Sequence, residues 1–204
     1  MTPNTYKPLT PADFVGDARN YASLLDRMLA DSLANGHAAL KVLLNGPPGT
    51  GKSALVAYLQ HSANIHPKWS TTKTNGTKVN MDFIQELENA LHYRDLYGAY
   101  RLIWIDEADK IPAVAQVRFL TLMDDLPSGV IIAATSNCKL KEFEPRFQSR
   151  FQALEVGAVP AAEIEQLLAR FLTNVKTIKS IATFACGNVR QALLDAQTAL
   201  LTAS

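Results

Sequence analysis

A glycine-rich octapeptide lies between an apolar run and a helical pattern, and few folds accommodate that order. It fits G-x-x-x-x-G-K-[ST] and consists of Gly46, Pro47, Pro48, Gly49, Thr50, Gly51, Lys52 and Ser53. In such a loop, glycines let backbone N–H groups face phosphate oxygens, the lysine neutralises the β- and γ-phosphates, and the serine hydroxyl binds Mg²⁺. The segment predicts a nucleotide-phosphate loop; the alternative is a glycine turn with a solvated lysine.

Short apolar runs on either side of helical patterns predict a parallel sheet. The runs occupy residues 38–45, 102–105 and 130–135, and helical patterns occupy 52–61, 81–93 and 112–126. Strands that alternate with helices form parallel sheets covered on both faces, and such sheets bind ligands at the carboxyl ends of their strands. Residues 68–78 predict a short strand and a loop. After residue 156 only helical patterns follow, at 161–171, 177–185 and 189–201.

Two adjacent acids end the second apolar run. Asp106 and Glu107 follow Ile105 directly, where a carboxylate is costly to desolvate unless a cation or donor meets it. Beside a phosphate loop, Mg²⁺ is the natural cation. We expect Asp106 to hold the metal with Ser53, and Glu107 to orient and polarise the attacking water. The alternative is a surface turn after a strand.

Composition excludes several classes of protein. Twenty Lys and Arg residues oppose nineteen Asp and Glu residues, giving a net charge of +1, so any contact with DNA must be a local patch. No apolar run approaches the length of a membrane span, and residues 1–14 lack the features of a signal peptide; we expect a soluble, cytoplasmic protein without membrane contacts. Cys138 and Cys186, like Tyr93, Tyr97 and Tyr100, are predicted to pack in the interior.

Six further segments give the chain a recognisable order of motifs. They are 6–16 (YKPLTPADFVG), 106–109 (DEAD), 115–116 (AQ), 135–137 (TSN), 144–151 (EPRFQSRF) and 187–193 (GNVRQAL). With the phosphate loop they resemble an AAA+ ATPase, and within that superfamily the clamp-loader group of replication factor C small subunits and their bacterial and phage counterparts. The resemblance implies an α/β fold: a P-loop AAA+ module with a parallel five-stranded sheet covered by helices at 1–157, and a small helical lid at 158–204.

The same resemblance assigns roles to four residues outside the phosphate loop. Val15 and Gly16 fall where the family places a segment against adenine. Asn137 ends the sensor 1 strand, which implies contact with the γ-phosphate or the attacking water. Arg190 begins the sensor 2 helix and is expected near the γ-phosphate. The implied cofactors are ATP and Mg²⁺, and the implied activity is Mg²⁺-dependent hydrolysis of ATP to ADP and phosphate.

One arginine carries an implication for assembly. Arg150 matches the arginine finger that reaches the ATP of a neighbouring subunit, which implies a homo- or hetero-oligomer of AAA+ subunits. Arg146 is its rival, and a surface ion pair is the alternative for either. Phe151 replaces the usual cysteine of this motif. The sequence given also stops at the lid, and we expect no collar domain.

The resemblance also suggests a DNA-replication role. Candidate contacts to the phosphate backbone of DNA are Lys78, Lys110 and Arg118, which could equally be solvated side chains. The leading hypothesis is a clamp-loader type ATPase that assembles around DNA when ATP is bound, with a sliding clamp or a helicase as partner. The alternatives are a helicase loader or phage replication ATPase and, third, a protein-remodelling AAA+ ATPase.

Overall fold

The computed structural model describes residues 2–93, 95 and 97–202. Within them the strands are β1 Leu40–Asn45, β2 Thr71–Asn75, β3 Arg101–Asp106, β4 Val130–Ser136 and β5 Gln152–Glu155. The helices are α1 Asp17–Ala34, α2 Lys52–Ser62, α3 Met81–Leu91, α4 Ala113–Asp124, α5 Pro145–Gln148, α6 Ala161–Leu168, α7 Val175–Phe184 and α8 Val189–Thr202. None of the helices in this part of the chain is both long and apolar enough to cross a membrane.

The five strands form one sheet in the order β2-β3-β4-β1-β5, and every neighbouring pair is parallel. This confirms the predicted five-stranded α/β fold. The segment 68–78 contains β2, which lies at one edge of the sheet and pairs only with β3 among the described strands. The carboxyl ends of β1, β3 and β4 therefore meet at one end of the sheet.

Two apolar cores cover the two faces of the sheet. Because successive side chains of a strand point to opposite faces, Leu44 packs in the core that includes residues of α1 and α2, whereas Leu43 packs in the core that includes residues of α3 and α4. All seven residues of β4 are buried. Burial on both faces explains why the strands read as continuous apolar runs in the sequence.

The C-terminal helices pack around a third apolar core, which also includes a residue from the beginning of the chain. Ile164 and Leu168 of α6 meet Ala192 and Ala196 of α8 in this core, and Val15 packs with them. The separate core is consistent with a lid, and the domain boundary at residues 157 and 158 stays a prediction. The segment before α1 thus ties the lid to the nucleotide-loop side of the molecule.

Several predicted boundaries and packing positions were wrong. Helix α3 ends at Leu91 rather than at residue 93, and α6 ends at Leu168 rather than at residue 171. Tyr100 is buried as predicted, but Tyr93 and Tyr97 are exposed, because the chain leaves α3 before them. Cys186 does not pack as predicted: it is exposed in a left-handed backbone conformation, with φ of 48°, after α7 has ended. Cys138 is half-buried and packs against the core that includes α3 and α4, as predicted.

Candidate functional site

The predicted phosphate loop joins the end of β1 to the start of α2, and two of its glycines are required by close contacts. A Cβ on Gly46 would lie 2.1 Å from the carbonyl oxygen of Val156. A Cβ on Gly49, where φ is 78°, would lie 1.8 Å from Oδ1 of Asn188. Only glycine fits both positions, and the second contact brings the lid against the loop.

Lys52 lies at the first position of α2, and its ammonium group is turned onto the loop. Nζ donates to the carbonyl oxygens of Gly46 at 2.7 Å and Pro47 at 2.6 Å. The side chain is mostly buried, and this burial, followed by the positive charge of Arg190, lowers the pKa of Lys52 to about 8. A phosphate group placed at the loop would favour the charged amine, because it offers an opposite charge at short range.

Asp106 is fixed by a residue of the neighbouring strand. Its Oδ1 accepts a hydrogen bond from Thr135 Oγ1 of β4 at 2.6 Å, and its Oδ2 lies 3.6 Å from Nζ of Lys73. Ser53 and Asp106 both line one cavity. A hydroxyl and a carboxylate are hard oxygen donors, and Mg²⁺ is usually held by one or two carboxylates together with substrate phosphates. The donor set therefore fits Mg²⁺.

Glu107 occupies a left-handed backbone conformation, with φ of 53°, and two side chains hold its carboxylate. Oε2 accepts hydrogen bonds from Asn75 Nδ2 and from Lys110 Nζ, each at 2.9 Å. The hydrogen bond from Asn75, followed by the contact with Lys110, lowers the pKa of Glu107. Glu107 is therefore held as a carboxylate, the form that can accept a proton from water.

Sequence reasoning missed Asn75, which ends β2. The signal was a polar residue at a strand end, but the surrounding segment 68–78 was too polar to delimit as a strand. The following Gly76 is buried, and a Cβ there would lie 2.1 Å from the carbonyl oxygen of Glu107. The end of β2 is thus fitted against the backbone that presents the glutamate.

Residues at the carboxyl end of β4 also contribute to the site. Ser136 donates from Oγ to Asp109 at 2.7 Å, and the same oxygen accepts from the N–H of Cys138 at 3.0 Å. These bonds fix the turn that carries Asn137, which is exposed and lines the cavity. Asp109, the last residue of the DEAD segment, therefore has a structural task that sequence reasoning did not assign.

Predicted site residues from the sheet, the phosphate loop and the lid line one cavity of about 530 Å³. Its lining includes Val15, Pro48, Gly49, Thr50, Gly51, Lys52, Ser53, Asp106, Glu107, Asn137 and Arg190. The N–H of Arg190 donates to the carbonyl oxygen of Gly49 at 3.3 Å, so α8 begins directly on the loop. Gly46, Pro47 and Gly16 are not among the lining residues; the N–H of Gly16 donates to Glu163 in the lid at 2.7 Å.

The two candidate finger arginines lie outside this cavity. Arg150 follows α5, and its guanidinium donates to both carboxylate oxygens of Asp124, from Nε at 3.1 Å and from Nη2 at 2.8 Å. Arg146 is exposed, and its carbonyl oxygen accepts from Nη1 of Arg150 at 3.2 Å. Within one chain, neither residue contributes to the lining of the site.

The three candidate DNA contacts occupy different settings. Lys78 is exposed at the end of a short helical turn after β2. Lys110 forms the ion pair with Glu107, and Arg118 of α4 forms one with Glu88 of α3. Lys110 therefore places a positive charge directly beside the glutamate of the cavity.

Comparison with known proteins agrees with this geometry. Residues 42–156 match the family described as "ATPase family associated with various cellular activities (AAA)". The replication factor C large subunit of Methanococcus maripaludis is 27% identical over 207 residues, which cover 95% of this chain and 41% of that protein. The replication-associated recombination protein A of Escherichia coli is 25% identical over 210 residues, which cover 93% of this chain and 45% of that protein. The chain thus spans less than half the length of these relatives.

Solved structures share the fold at lower identity. The Thermotoga maritima RuvB Holliday junction branch migration motor superposes with a TM-score of 0.75 at 18% identity, over 97% of this chain and 66% of that one. A DNA polymerase III gamma subunit-related protein of the same organism gives 0.67 at 15% identity, over 86% of this chain and 57% of that one. The family match covers more than half of the sequence and includes both the phosphate loop and the acidic pair. This chain belongs to the AAA family of ATPases.

Proposed function

We propose that this protein binds ATP with Mg²⁺ and hydrolyses it to ADP and phosphate. The observation that carries the proposal is the convergence of Lys52, Asp106, Glu107, Asn137 and Arg190 on one cavity. The phosphate loop supplies backbone donors, and Lys52 and Arg190 supply positive charge where the β- and γ-phosphates would lie. Phosphoryl transfer depends mainly on positioning and charge stabilisation, and this cavity offers both.

Each residue has a separate task in this proposal. Ser53 and Asp106 would hold Mg²⁺, which when bound supplies Lewis-acid stabilisation of phosphoryl oxygens. Glu107 accepts a proton from the attacking water, since its carboxylate is kept ionised by Asn75 and Lys110. Asn137 orients the water or the γ-phosphate. Val15 and the neighbouring Gly16 are proposed to lie against adenine, and Val15 is among the residues that line the cavity.

We further propose that Arg150 completes the site of a neighbouring subunit. Its position outside the cavity of its own chain supports this role. Within one chain the guanidinium is held by Asp124, and in the assembly it would exchange that carboxylate for phosphate oxygens of the neighbouring nucleotide. A guanidinium supplied in trans stabilises charge on the transferring phosphoryl group, with effects of about 10³–10⁵ in rate. The proposed assembly is a homo- or hetero-oligomer.

For the biological role, we propose a DNA-replication ATPase of clamp-loader type that assembles around DNA when ATP is bound. The names of the relatives, replication factor C large subunit and replication-associated recombination protein A, support a role on DNA. Lys78, Lys110 and Arg118 are the proposed contacts to DNA phosphates, and a sliding clamp or a helicase is the proposed partner. Stimulation by DNA separates this role, and that of a helicase loader, from protein remodelling.

The experiment that tests the proposal measures ATPase rate per subunit against protein concentration, with and without primed DNA. We expect the rate to rise with both. Arg150→Ala should lower it at least 100-fold at saturating protein, because a finger in trans is worth about 10³ or more. A rate unaffected by this substitution contradicts the trans role.

The matched control is Asp124→Ala, which removes the intramolecular partner of Arg150 and leaves the arginine in place. We expect this variant to retain most of the DNA-stimulated rate. Equal losses in both variants would show that the ion pair, rather than the guanidinium in trans, is what the activity requires. Stimulation by unfolded protein instead of DNA would favour a remodelling ATPase.

A further inference from the structure

Three exposed aromatic side chains form a cluster at the amino-terminal end of the edge strand β2. The rings of Trp69 and Tyr97 stack with centroids 5.8 Å apart and an interplanar angle of 21°, and the ring of His66 lies 6.4 and 6.1 Å from them. Trp69 is 55% exposed and Tyr97 is 59% exposed. We name His66, Trp69 and Tyr97 the aromatic platform.

The platform is held in place by local hydrogen bonds. Nδ1 of His66 accepts from the backbone N–H groups of Lys68 and Trp69, each at 3.2 Å. On the other side, the N–H of Tyr97 donates to Asp95 at 2.7 Å, and Ser70 Oγ donates to the same carboxylate oxygen at 2.9 Å. Preorganised rings lose little side-chain entropy when a flat ligand stacks on them.

Positive charge accompanies the platform along the edge of the sheet. Lys68 places Nζ 4.7 Å from the ring centroid of Trp69. Lys78 is exposed three residues beyond the end of β2. Lys73, at the centre of β2, is not part of this surface, because its Nζ lies 3.6 Å from the ring centroid of Trp104 and 3.6 Å from Oδ2 of Asp106 in the ATP cavity. No residue of β2 is buried, so this edge is accessible among the described residues.

Carboxylates are scarce in the same part of the chain. The sequence contains no Asp or Glu between Asp31 and Asp82. Asp95, whose carboxylate contacts the platform, is only 7% exposed and lies 3.6 Å from the guanidinium of Arg101. An anionic polymer along β2 would therefore meet lysines and little exposed negative charge from this segment.

We propose that the aromatic platform, together with Lys68 and Lys78, binds single-stranded nucleic acid. A base would stack on the exposed ring surface of the platform, and its backbone phosphates would follow these two lysines along β2. This proposal rests on the proposed role on DNA and deepens it, because it assigns an unpaired strand to a surface outside the ATP cavity. Stacked aromatics beside a positive track are the common means of binding single strands without sequence preference.

Ring exposure favours a single strand over a duplex. Bases in a duplex are stacked on one another and offer no face to Trp69, whereas an unpaired base does. The lysines also argue against a purely apolar protein partner, because burying Lys68 against such a surface would cost desolvation of its charge. A protein partner that docks here is thus the alternative outcome of the test.

The test measures binding of a labelled oligothymidylate of about 12 nucleotides, a length within the usual site sizes, by fluorescence anisotropy at low salt. Trp69→Ala should weaken binding about tenfold or more, which corresponds to the loss of one stacked base. Trp69→Phe should remain within about threefold of wild type, because phenylalanine keeps a stacking face. Lys68→Ala should weaken binding and reduce the salt slope by about 0.7. The matched control Lys179→Ala removes an exposed charge from α7 and should leave binding unchanged.

Each outcome decides the proposal. Equal binding by wild type and Trp69→Ala overturns the proposal. Equal losses in Lys68→Ala and Lys179→Ala also overturn it, and so does the absence of oligonucleotide binding by wild type. If wild type fails to bind the single strand while primed DNA still stimulates its ATPase, this inference fails and the proposed function stands. Trp69-dependent binding by a protein whose ATPase ignores DNA would support the platform and contradict the proposed role.

Discussion

Titration of the Lys52 side chain should change protein stability and ATP affinity in opposite directions. Its pKa of about 8 lies below the ordinary value of 10.5, so between these values the unfolded chain binds more protons than the folded one. The free energy of unfolding should therefore rise with pH across this window. ATP affinity should fall over the same range, because the phosphates are met by the charged amine.

Calorimetric melting and ATP titration from about pH 7 to about pH 10 would check both signs. Lys52→Met is the control, since it keeps an unbranched side chain without a charge. We expect this variant to lose the rise in melting temperature attributable to Lys52 and to lose ATP binding. Parallel pH profiles for the two proteins would refute the assignment.

Asn75 should influence the acid limb of the pH profile of the ATPase, which is the fall in kcat at low pH. Its hydrogen bond is the largest cause of the lowered pKa of Glu107, so Asn75→Ala should raise that pKa and shift the acid limb of kcat to higher pH. Glu107→Gln should bind ATP but hydrolyse it far more slowly. Steady-state rates between about pH 3 and about pH 7 would measure the shift, because the pKa of Glu107 lies below the ordinary value of 4.5.

Asn80→Ala serves as the comparison for this experiment. Asn80 also ends a loop, and its Oδ1 accepts a hydrogen bond from the N–H of Phe83 at the start of α3. Unlike Asn75, Asn80 does not contact Glu107. We expect this variant to lose about 1 kcal/mol of stability as a lost helix cap with an unshifted acid limb. An unshifted limb in Asn75→Ala as well would remove Asn75 from the control of Glu107.

At the scale of elements, the contact between the phosphate loop and α8 couples the sheet to the lid. Gly49→Ala combines a positive φ with a Cβ 1.8 Å from Asn188, and should cost about 1–3 kcal/mol for the backbone alone, with a further loss from the displaced lid. Gly36→Ala has a similar φ of 69° and nothing within 4 Å, so it isolates the backbone cost. Urea unfolding of both variants gives the difference.

A double variant tests whether the excess cost comes from the lid. Asn188→Ala removes the atom that the new Cβ would meet, together with its own hydrogen bond to the N–H of Gln191. We therefore expect Gly49→Ala and Asn188→Ala to be strongly non-additive. Additive losses would mean that the loop and the lid are not coupled through this contact.

At the scale of the whole molecule, the sheet order decides where the chemistry lies. The parallel strands bring the carboxyl ends of β1, β3 and β4 together at one end of the sheet. Arg150 lies outside the cavity at that end. One chain thus carries both a nucleotide cavity and, outside it, the half-buried guanidinium of Arg150. The proposed ATPase therefore depends on an assembly, because the guanidinium of Arg150 does not reach the cavity of its own subunit.

Features that depend on local order could be predicted from the residues alone. The phosphate loop, the acidic pair Asp106 and Glu107 and the alternation of strands with helices follow from residue spacing, because the backbone requirements of a loop or a strand are met within a few residues. The polar strand β2 was delimited less well, since an edge strand needs no continuous apolar run.

Contacts between groups that are distant in sequence became known only from the folded chain. The donation from Asn75 to Glu107, the capture of the Gly16 N–H by Glu163 and the exposed stack of Trp69 on Tyr97 each join residues that no spacing rule connects. Such contacts depend on strand order and on where the lid packs. These are set by burial of the whole apolar surface, rather than by the properties of any one segment.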